Sequence, residues 1–188
     1  MLFRSLVLLL AGLLAGCGGG SRPTGIRAAE TPADDVAEYQ PRWRSHTVDS
    51  TQYRKVFLAG TIDMGRSSDW QAALVARFRD SIGGRWLFFN PRRREFHASP
   101  AEMEYQVAWE LAHLEAADLI VMNLLGDSRS PISLLEMGLY ARSGKLFVAC
   151  SPDYYRYDNV RITCRRYGVP LYDSLTALLD DLPQQSDE

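Results

Sequence analysis

Two glutamates stand where a carboxylate could do chemistry. Glu136 lies in the apolar run ISLLEMGLYA at residues 132–141, and a lone carboxylate on such a helix needs an explanation. The helix is predicted to begin near Ser130, so Glu136 falls in its second turn, where the positive end of the helix would help to keep it ionised. An ionised carboxylate is the form that a nucleophile needs in glycosyl transfer.

The same helix also has a purely structural interpretation. Its polar side chains recur at spacings of three and four residues, at Ser133, Glu136, Tyr140 and Ser143. This spacing is also typical of the solvated stripe of a half-buried helix. The pattern alone therefore leaves two possibilities for Glu136, a catalytic carboxylate or an ordinary surface residue.

Glu110 is the second carboxylate, on a helix that the Ser99-Pro100 pair is predicted to open. Four apolar residues at helical spacing are expected to form the core stripe of this helix: Met103, Val107, Leu111 and Leu114. Glu110 falls about 60° from the centre of that stripe, at its border. A border position can face a cleft or solvent, and the sequence leaves both open.

Short apolar runs alternate with helical patterns through residues 53–183. The runs are KVFLAG at 55–60, WLFF at 86–89, LIVM at 119–122 and LFVA at 146–149, with a shorter strand at 169–172. Continuous apolar strands separated by helices predict a parallel sheet with helices on both faces, a three-layer α/β domain of the Rossmann or flavodoxin-like type. Ligands of such sheets bind beyond the carboxyl ends of the strands.

Several classes of function find no support in the sequence. No Walker loop and no Gly-x-Gly-x-x-Gly follows the first strand. His46, His97 and His113 are scattered, and no Cys, His or Asp cluster has metal-ligand spacing, so we expect no metal and no cofactor. The formal net charge of -2 gives no general attraction to nucleic acid.

The sequence leaves two interpretations open for a run of arginines and two for a pair of cysteines. The run of arginines at positions 92–94 is either a solvated patch or a contact for a substrate phosphate. Cys150 and Cys164 are either bonded in an oxidising compartment or buried as thiols.

The N-terminus is predicted to be a lipoprotein signal peptide over residues 1–16. Arg4 precedes a short apolar run, and Leu14-Ala15-Gly16-Cys17 resembles a lipobox in which Cys17 takes the lipid. An ordinary secretory signal or an uncleaved anchor is the alternative. The predicted location is the cell envelope, with the outer membrane facing the periplasm favoured in a Gram-negative host, because Gly18 stands where a retention Asp would sit.

The regions that flank the predicted domain are expected to be unstructured, although the sequence leaves open whether Tyr39, Trp43 and Val48 dock on that domain. Residues 17–52 are interpreted as the lipid-anchored Cys and a flexible tether, since residues 18–20 are all Gly, three prolines follow, and no hydrophobic period is sustained. Residues 184–188 form a polar tail. The folded domain is expected to span residues 53–183.

Several blocks of sequence, in this order, resemble the nucleoside 2-deoxyribosyltransferase-like family. They are VFLAGTIDMG at 56–65 with DWQ at 69–71, FNPRR at 89–93, QVAWE at 106–110, ADLIVMN at 117–123 and SPISLLEMGLYA at 130–141. Asn159-Val160, Cys164 and YGVPL at 167–171 resemble the tail of the family. The likeness covers residues 56–172, nearly the whole predicted domain.

The resemblance implies roles for individual residues. Glu136 would be the nucleophile that attacks the anomeric carbon, and Glu110 would stand where an Asp commonly holds the sugar hydroxyls. Ser130 would lie near the base or a phosphate, and Thr61 and Asp63 would lie in the loop on the base side. Related nucleotide N-glycosidases have an Arg in that loop, so Asp63 argues against a monophosphate substrate. Three more residues in the matching blocks are assigned to substrate binding: Gly60, Asn90 and Asn159.

The function expected from these observations is cleavage or transfer of an N-glycosyl bond in nucleosides or related nucleotides, through a glycosyl-enzyme intermediate. The alternatives are a membrane-anchored sensor that binds a nucleoside or nucleotide without turnover, and a structural envelope lipoprotein. The expected partners are a small-molecule nucleoside or nucleotide and the membrane, through the N-terminal lipid. The resemblance also implies a possible homo-oligomer.

Overall fold

The computed structural model describes residues 35–95 and 97–182. The predicted signal peptide with its lipobox, the lipidated Cys17 and the polar tail at 184–188 lie outside the described residues. No helix in the described part of the chain is long and apolar enough to span a bilayer.

In the part of the chain that the structure describes, seven strands form one sheet. Their bounds are β1 (Val36–Gln40), β2 (Trp43–Arg44), β3 (Arg54–Gly60), β4 (Trp86–Phe89), β5 (Leu119–Leu124), β6 (Leu146–Cys150) and β7 (Leu171–Tyr172). The strand order is β2-β1-β4-β3-β5-β6-β7. Every pairing is parallel except that of β2 with β1. The chain leaves β3 for β4 on one side and then returns to β5 on the other, which makes the β3–β5 boundary a topological switch point.

Five α-helices among the described residues cover the two faces of the sheet. They are α1 (Trp70–Ser81), α2 (Pro100–Ala116), α3 (Pro131–Tyr140), α4 (Tyr157–Tyr167) and α5 (Leu175–Asp181). Side chains of α2, α3 and α4 belong to the core on one face, and those of α1 and α5 belong to the core on the other. The predicted three-layer Rossmann-like α/β fold is confirmed.

Sequence signals at the helix ends explain where the helices begin. The side chains of Asp69, Ser99 and Ser174 accept hydrogen bonds from backbone N–H groups in the first turns of α1, α2 and α5. Pro100 and Pro131 occupy the first turns of α2 and α3, where a missing N–H costs no helical hydrogen bond.

The prediction that residues 17–52 form a tether is wrong from residue 36 onward. Strand β1 pairs in parallel with β4, and its Val36, Ala37 and Tyr39 are buried. The Tyr39 hydroxyl accepts a hydrogen bond of 3.2 Å from the backbone N–H of Val48. The run VAEYQ lacks the continuous apolar character of a central strand because β1 lies towards the edge of the sheet, where Glu38 and Gln40 reach solvent in part.

The predicted core stripe of α2 is also wrong. Met103, Val107 and Leu111 are 41–47% exposed, and only Leu114 of the four is buried. Helix α2 docks on the sheet instead through Leu114 and through Trp109, whose ring lies 6.3 Å from that of Phe57 on β3.

Helix α3 likewise exposes apolar residues that the sequence pattern would place in a core. Ile132, Leu135 and Leu139 are 58–62% exposed, whereas Ser133 and Glu136 are buried. Ser133 and Glu136 therefore face inward, opposite to the solvated stripe considered as the structural alternative. This orientation brings the carboxylate of α3 into the interior of the molecule.

Candidate active site

A cleft of about 700 Å³ opens where β3 and β4 end and α3 begins. Its position beside the switch point is the one expected for a ligand site in an open parallel sheet. Its volume lies in the range of small-molecule sites. Five residues that the sequence singles out line this cleft: Gly60, Asp63, Glu110, Ser130 and Glu136.

Gly60 shapes the floor of the cleft. Its φ is +125°, and a Cβ built there would lie 2.2 Å from the carbonyl oxygen of Asn123 on β5. No side chain fits this space, and only glycine adopts the conformation readily. Gly60 thus lets the end of β3 stay against β5 and leaves the space above the two strands open.

Glu136 is buried at the cleft, with 8% of its surface exposed. Burial, followed by the negative charge of Glu110, raises the pKa of Glu136 from its ordinary value of 4.5 to about 8. The raised pKa contradicts the expectation that the start of the helix keeps this carboxylate ionised. The loss of hydration outweighs the helix dipole, whose effect fades beyond the first turn.

Glu110 is oriented by a residue that the sequence analysis passed over as a functional candidate. The amide nitrogen of Gln106 donates to Glu110 Oε1 at 2.8 Å and to the carbonyl of Pro91 at 3.1 Å. Burial raises the pKa of Glu110, and the hydrogen bond from Gln106 lowers it in part. The spacing of four residues on one helix was the signal that could have identified Gln106.

The carbonyl oxygen of the Gln106 side chain remains available. It is buried and has no hydrogen-bond partner in the described part of the chain. Since Gln106 lines the cleft, this oxygen is an acceptor next to the Glu110 carboxylate. Together they can receive hydroxyl groups of a bound molecule.

Thr61 lies beneath the cleft rather than on its surface. It is fully buried, and its hydroxyl is 2.8 Å from that of Ser130. Ser130 adopts a left-handed conformation with φ of +40°, and its side chain does not cap α3. A serine directly before the first proline of a helix is expected to act as its N-cap, but the hydroxyl of Ser130 is held by those of Thr61 and Ser128 instead. Ser130 lies in the cleft wall.

The three arginines at 92–94 line the cleft, yet each has a protein contact. Arg92 donates to the carbonyl oxygens of Gly65, Ser67 and Ser68 at 2.8–3.2 Å. Arg93 forms an ion pair of 2.6 Å with Glu102, and the guanidinium of Arg94 stacks on the Trp43 ring at 4.0 Å. The solvated-patch interpretation is wrong for Arg92, which clamps the loop after β3, and for Arg93, which is paired with α2, whereas Arg94 is exposed.

Besides Thr61, two more residues predicted to bind substrate do not line the cleft. The amide nitrogen of Asn90 donates to Glu38 at 2.8 Å, and its oxygen accepts from the backbone N–H of Arg92 at 3.0 Å. Asn90 thus joins β1 to the segment after β4. Asn159 is exposed on α4, because the helix turns this position away from its buried side.

Cys150 and Cys164 are free thiols, and both are buried. Burial raises the pKa of Cys150 to about 12 and that of Cys164 to about 11. Thiols with such values are poor nucleophiles near neutral pH. Within residues 35–95 and 97–182, no group of three or more His, Cys, Asp or Glu side chains could hold a metal ion.

Comparison with known proteins gives one family. The sequence profile of the family described as "Nucleoside 2-deoxyribosyltransferase like" matches residues 53–154, more than half of the 188-residue chain. A search of curated proteins finds no match to the chain. The chain belongs to the nucleoside 2-deoxyribosyltransferase-like family, as its sequence blocks indicate.

Proposed function

We propose that this member of the family cleaves or transfers the N-glycosyl bond of nucleosides or related nucleotides, with Glu136 as the nucleophile. The observation that carries the proposal is the burial of Glu136 at the cleft beside a second carboxylate, Glu110. Paired carboxylates in a partly dehydrated cleft suit a reaction whose transition state resembles an oxocarbenium ion.

In the proposed reaction the ionised Glu136 attacks the anomeric carbon as the bond to the base nitrogen breaks. The base takes the electron pair of that bond and a proton from water, and a glycosyl ester of Glu136 forms. A second base or water then attacks the same carbon and gives up a proton to water, the ester bond breaks, and the Glu136 carboxylate is restored. Glu110, held by Gln106, would receive the sugar hydroxyls and place negative charge near the developing cation.

The test uses the chain purified without its predicted signal peptide. The protein is incubated with ribonucleosides, deoxynucleosides, their monophosphates and NAD, with and without free adenine. Base release and base exchange are followed by chromatography. We expect turnover of at least one compound, and we expect exchange to exceed hydrolysis when a free base is supplied.

Glu136→Gln is expected to lower turnover by at least a thousandfold, because an amide cannot form the ester. Glu104→Gln is the matched control, since Glu104 is an exposed residue of α2 and is not among the residues that line the cleft. Full activity of Glu136→Gln contradicts the assignment of the nucleophile.

The raised pKa of Glu136 favours one alternative, a sensor that binds a nucleoside or nucleotide without cleaving it. A protonated Glu136 is a hydrogen-bond donor and a poor nucleophile. Binding of a nucleoside in equilibrium dialysis, with no base released over days, would establish the sensor and exclude the enzyme.

We further propose that the chain forms a homo-oligomer through α2 and α3. Exposed apolar residues on both helices support this: Met103, Val107, Leu111, Ile132, Leu135 and Leu139. Contiguous apolar surface of this kind is uncommon on monomers. Sedimentation should give an oligomer for the native chain and a monomer for Leu135→Asp, and a native monomer would contradict the proposal.

The cellular location of the protein is a separate proposal. We propose that Cys17 is lipidated after removal of residues 1–16 and that the domain is held at the cell envelope. The sequence LAGC at 14–17 supports this. Labelled palmitate should be incorporated into the native chain and not into Cys17→Ser, and the variant should leave the membrane fraction.

A further inference from the structure

A chain of hydroxyl groups runs from the floor of the cleft to Asp63. The Thr61 and Ser130 hydroxyls are 2.8 Å apart, and those of Ser130 and Ser128 are 2.7 Å apart. Ser128 then donates to Asp63 Oδ1 at 3.0 Å. At the other end, the backbone N–H of Leu125 donates to the Thr61 oxygen at 3.1 Å. Thr61, Ser128 and Ser130 are all at most 6% exposed.

The groups at the two ends of this row of hydroxyls determine which hydroxyl donates and which accepts in each hydrogen bond. An ionised carboxylate can only accept, so the single proton of Ser128 points to Asp63. Ser128 can then only accept from Ser130, and Ser130 can only accept from Thr61. No hydroxyl proton is left over for a bound molecule. The wall of the cleft formed by Ser130 and Asp63 therefore offers acceptors and no hydroxyl donor.

The Asp63 carboxylate is also fixed in place. Its backbone and that of Met64 are left-handed, with φ of +48° and +54°, which is uncommon outside glycine. Arg92 holds the same loop through the carbonyls of Gly65 and Ser67. With Oδ1 anchored by Ser128, the second oxygen, Oδ2, has no hydrogen-bond partner among the described residues, although Asp63 lines the cleft.

The other acceptors of the cleft lie on a different element. Glu110 and the unpartnered oxygen of Gln106 lie together on α2, and the charge of Glu110 adds to burial in raising the pKa of Glu136. They suit the hydroxyl groups of a sugar placed over Glu136. Asp63, on the loop after β3, is left for the other half of a nucleoside, its base.

We infer that Asp63, oriented by the Ser128–Ser130–Thr61 hydroxyl chain, selects non-phosphorylated nucleosides whose base presents an amino group to the cleft. The inference rests on the proposed function for the site, and it adds the substrate class. An amino group or an amidine edge donates to a carboxylate in a strong, charge-assisted hydrogen bond. A base edge that bears only hydrogen-bond acceptors faces the lone pairs of Asp63 and Ser130 and can form a hydrogen bond with neither. A 5′-phosphate would be repelled by the carboxylates of Asp63, Glu110 and Glu136. The arginines that line the cleft already have protein partners.

The test compares pairs of nucleosides that differ by one amino group. The pairs are 2′-deoxyadenosine with purine 2′-deoxyriboside, and 2′-deoxyguanosine with 2′-deoxyinosine. For each pair the ratio of kcat/KM values is measured with the native chain and with Asp63→Asn. Intrinsic differences between the leaving bases cancel when the two ratios are compared.

We expect the preference for the amino-bearing base to fall by about 10- to 100-fold in Asp63→Asn, the range for a charged hydrogen bond. Asn tolerates the left-handed backbone of this position, which favours folding of the variant. Asp127→Asn is the matched control, because Asp127 is exposed and does not line the cleft. Its ratio should equal that of the native chain.

Ser128→Ala provides a second variant with Asp63 intact. It removes the anchor of Oδ1 and frees the proton of Ser130, so the preference should fall several-fold. Equal ratios in the native chain, Asp63→Asn and Ser128→Ala would overturn the inference. Faster cleavage of a 5′-monophosphate than of its nucleoside, or dependence on the 5′-hydroxyl in place of the amino group, would overturn it as well.

Failure of the inference is distinguishable from failure of the proposed function. Turnover without amino-group preference refutes the inference alone. If no compound is turned over, dissociation constants of the same pairs are measured by equilibrium dialysis, and a preference that Asp63→Asn removes upholds the inference without the enzyme. Nucleosides that neither bind nor react overturn both.

Discussion

The buried proton of Glu136 predicts an unusual dependence of stability on pH. The pKa is 4.5 in an unfolded chain and about 8 in the folded one. Between these values the folded state binds a proton that the unfolded state has released, so the free energy of unfolding falls as pH rises. Below pH 4.5 both states hold the proton, and above pH 8 neither does, so this contribution levels off on both sides.

The size of the effect follows from the shift. Each pH unit in this window costs about 1.4 kcal/mol, so the folded state loses about 5 kcal/mol between pH 4.5 and 8 through this one group. Such a loss is a large fraction of the stability of an ordinary domain. Glu136→Gln removes the titrating group, and its stability relative to the native chain should therefore increase steadily across the window.

Urea unfolding at half-unit steps from pH 5 to pH 9 measures this difference. The quantity compared is the free energy of unfolding of Glu136→Gln minus that of the native chain at each pH. Glu104→Gln serves as the control and should give a flat difference, because its exposed side chain gains nothing from folding. A flat difference for Glu136→Gln too would refute the buried, protonated carboxyl group on which the reasoning rests.

Three further predictions concern the site and its supports. If ionised Glu136 is the nucleophile, kcat/KM should rise about tenfold per pH unit up to about pH 8 and then level off, and a pH-independent rate would contradict its role. Arg92→Ala removes the hydrogen bonds that hold the loop after β3. It should lower the free energy of unfolding by about 1–3 kcal/mol and raise KM more than it lowers kcat. An unchanged KM would show that the loop keeps its conformation without Arg92. Lys145 donates to three carbonyls at the end of α2, those of Leu114, Glu115 and Ala117, at 2.6–3.0 Å, so Lys145→Met should cost about 2 kcal/mol in urea unfolding. A smaller loss than for Lys55→Met, a substitution of a lysine that is also half-buried, would contradict this.

The sequence predicted the elements of this fold whose signals are local. Strands such as WLFF at 86–89 are apolar on both faces because both faces are covered, and Ser99-Pro100 and Asp69 act at the helix starts where the pattern placed them. Glu136 and Glu110 could be singled out for the same reason, since each is a charge within an apolar surrounding.

What the sequence did not reveal depends on tertiary or quaternary context. The run VAEYQ becomes a strand only because β4 offers it an open edge. The direction of α2 and α3 could not be read from periodicity, because a helix with apolar residues on both sides does not indicate which side meets its own sheet. The hydroxyl chain to Asp63 joins residues 61 and 130 across the sheet, and no local spacing encodes that contact.

The parallel pairing of β1 with β4 has a mechanical consequence for a chain held by its N-terminus. Tension that enters the domain ahead of Val36 pulls along the axis of β1. The pairs from Val36–Trp86 to Tyr39–Phe89 then carry the load in shear, all at once. An antiparallel hairpin pulled from its open end would instead unzip one bond at a time. Strand β1, which the sequence concealed, is thus the element best placed to resist detachment of the domain under force.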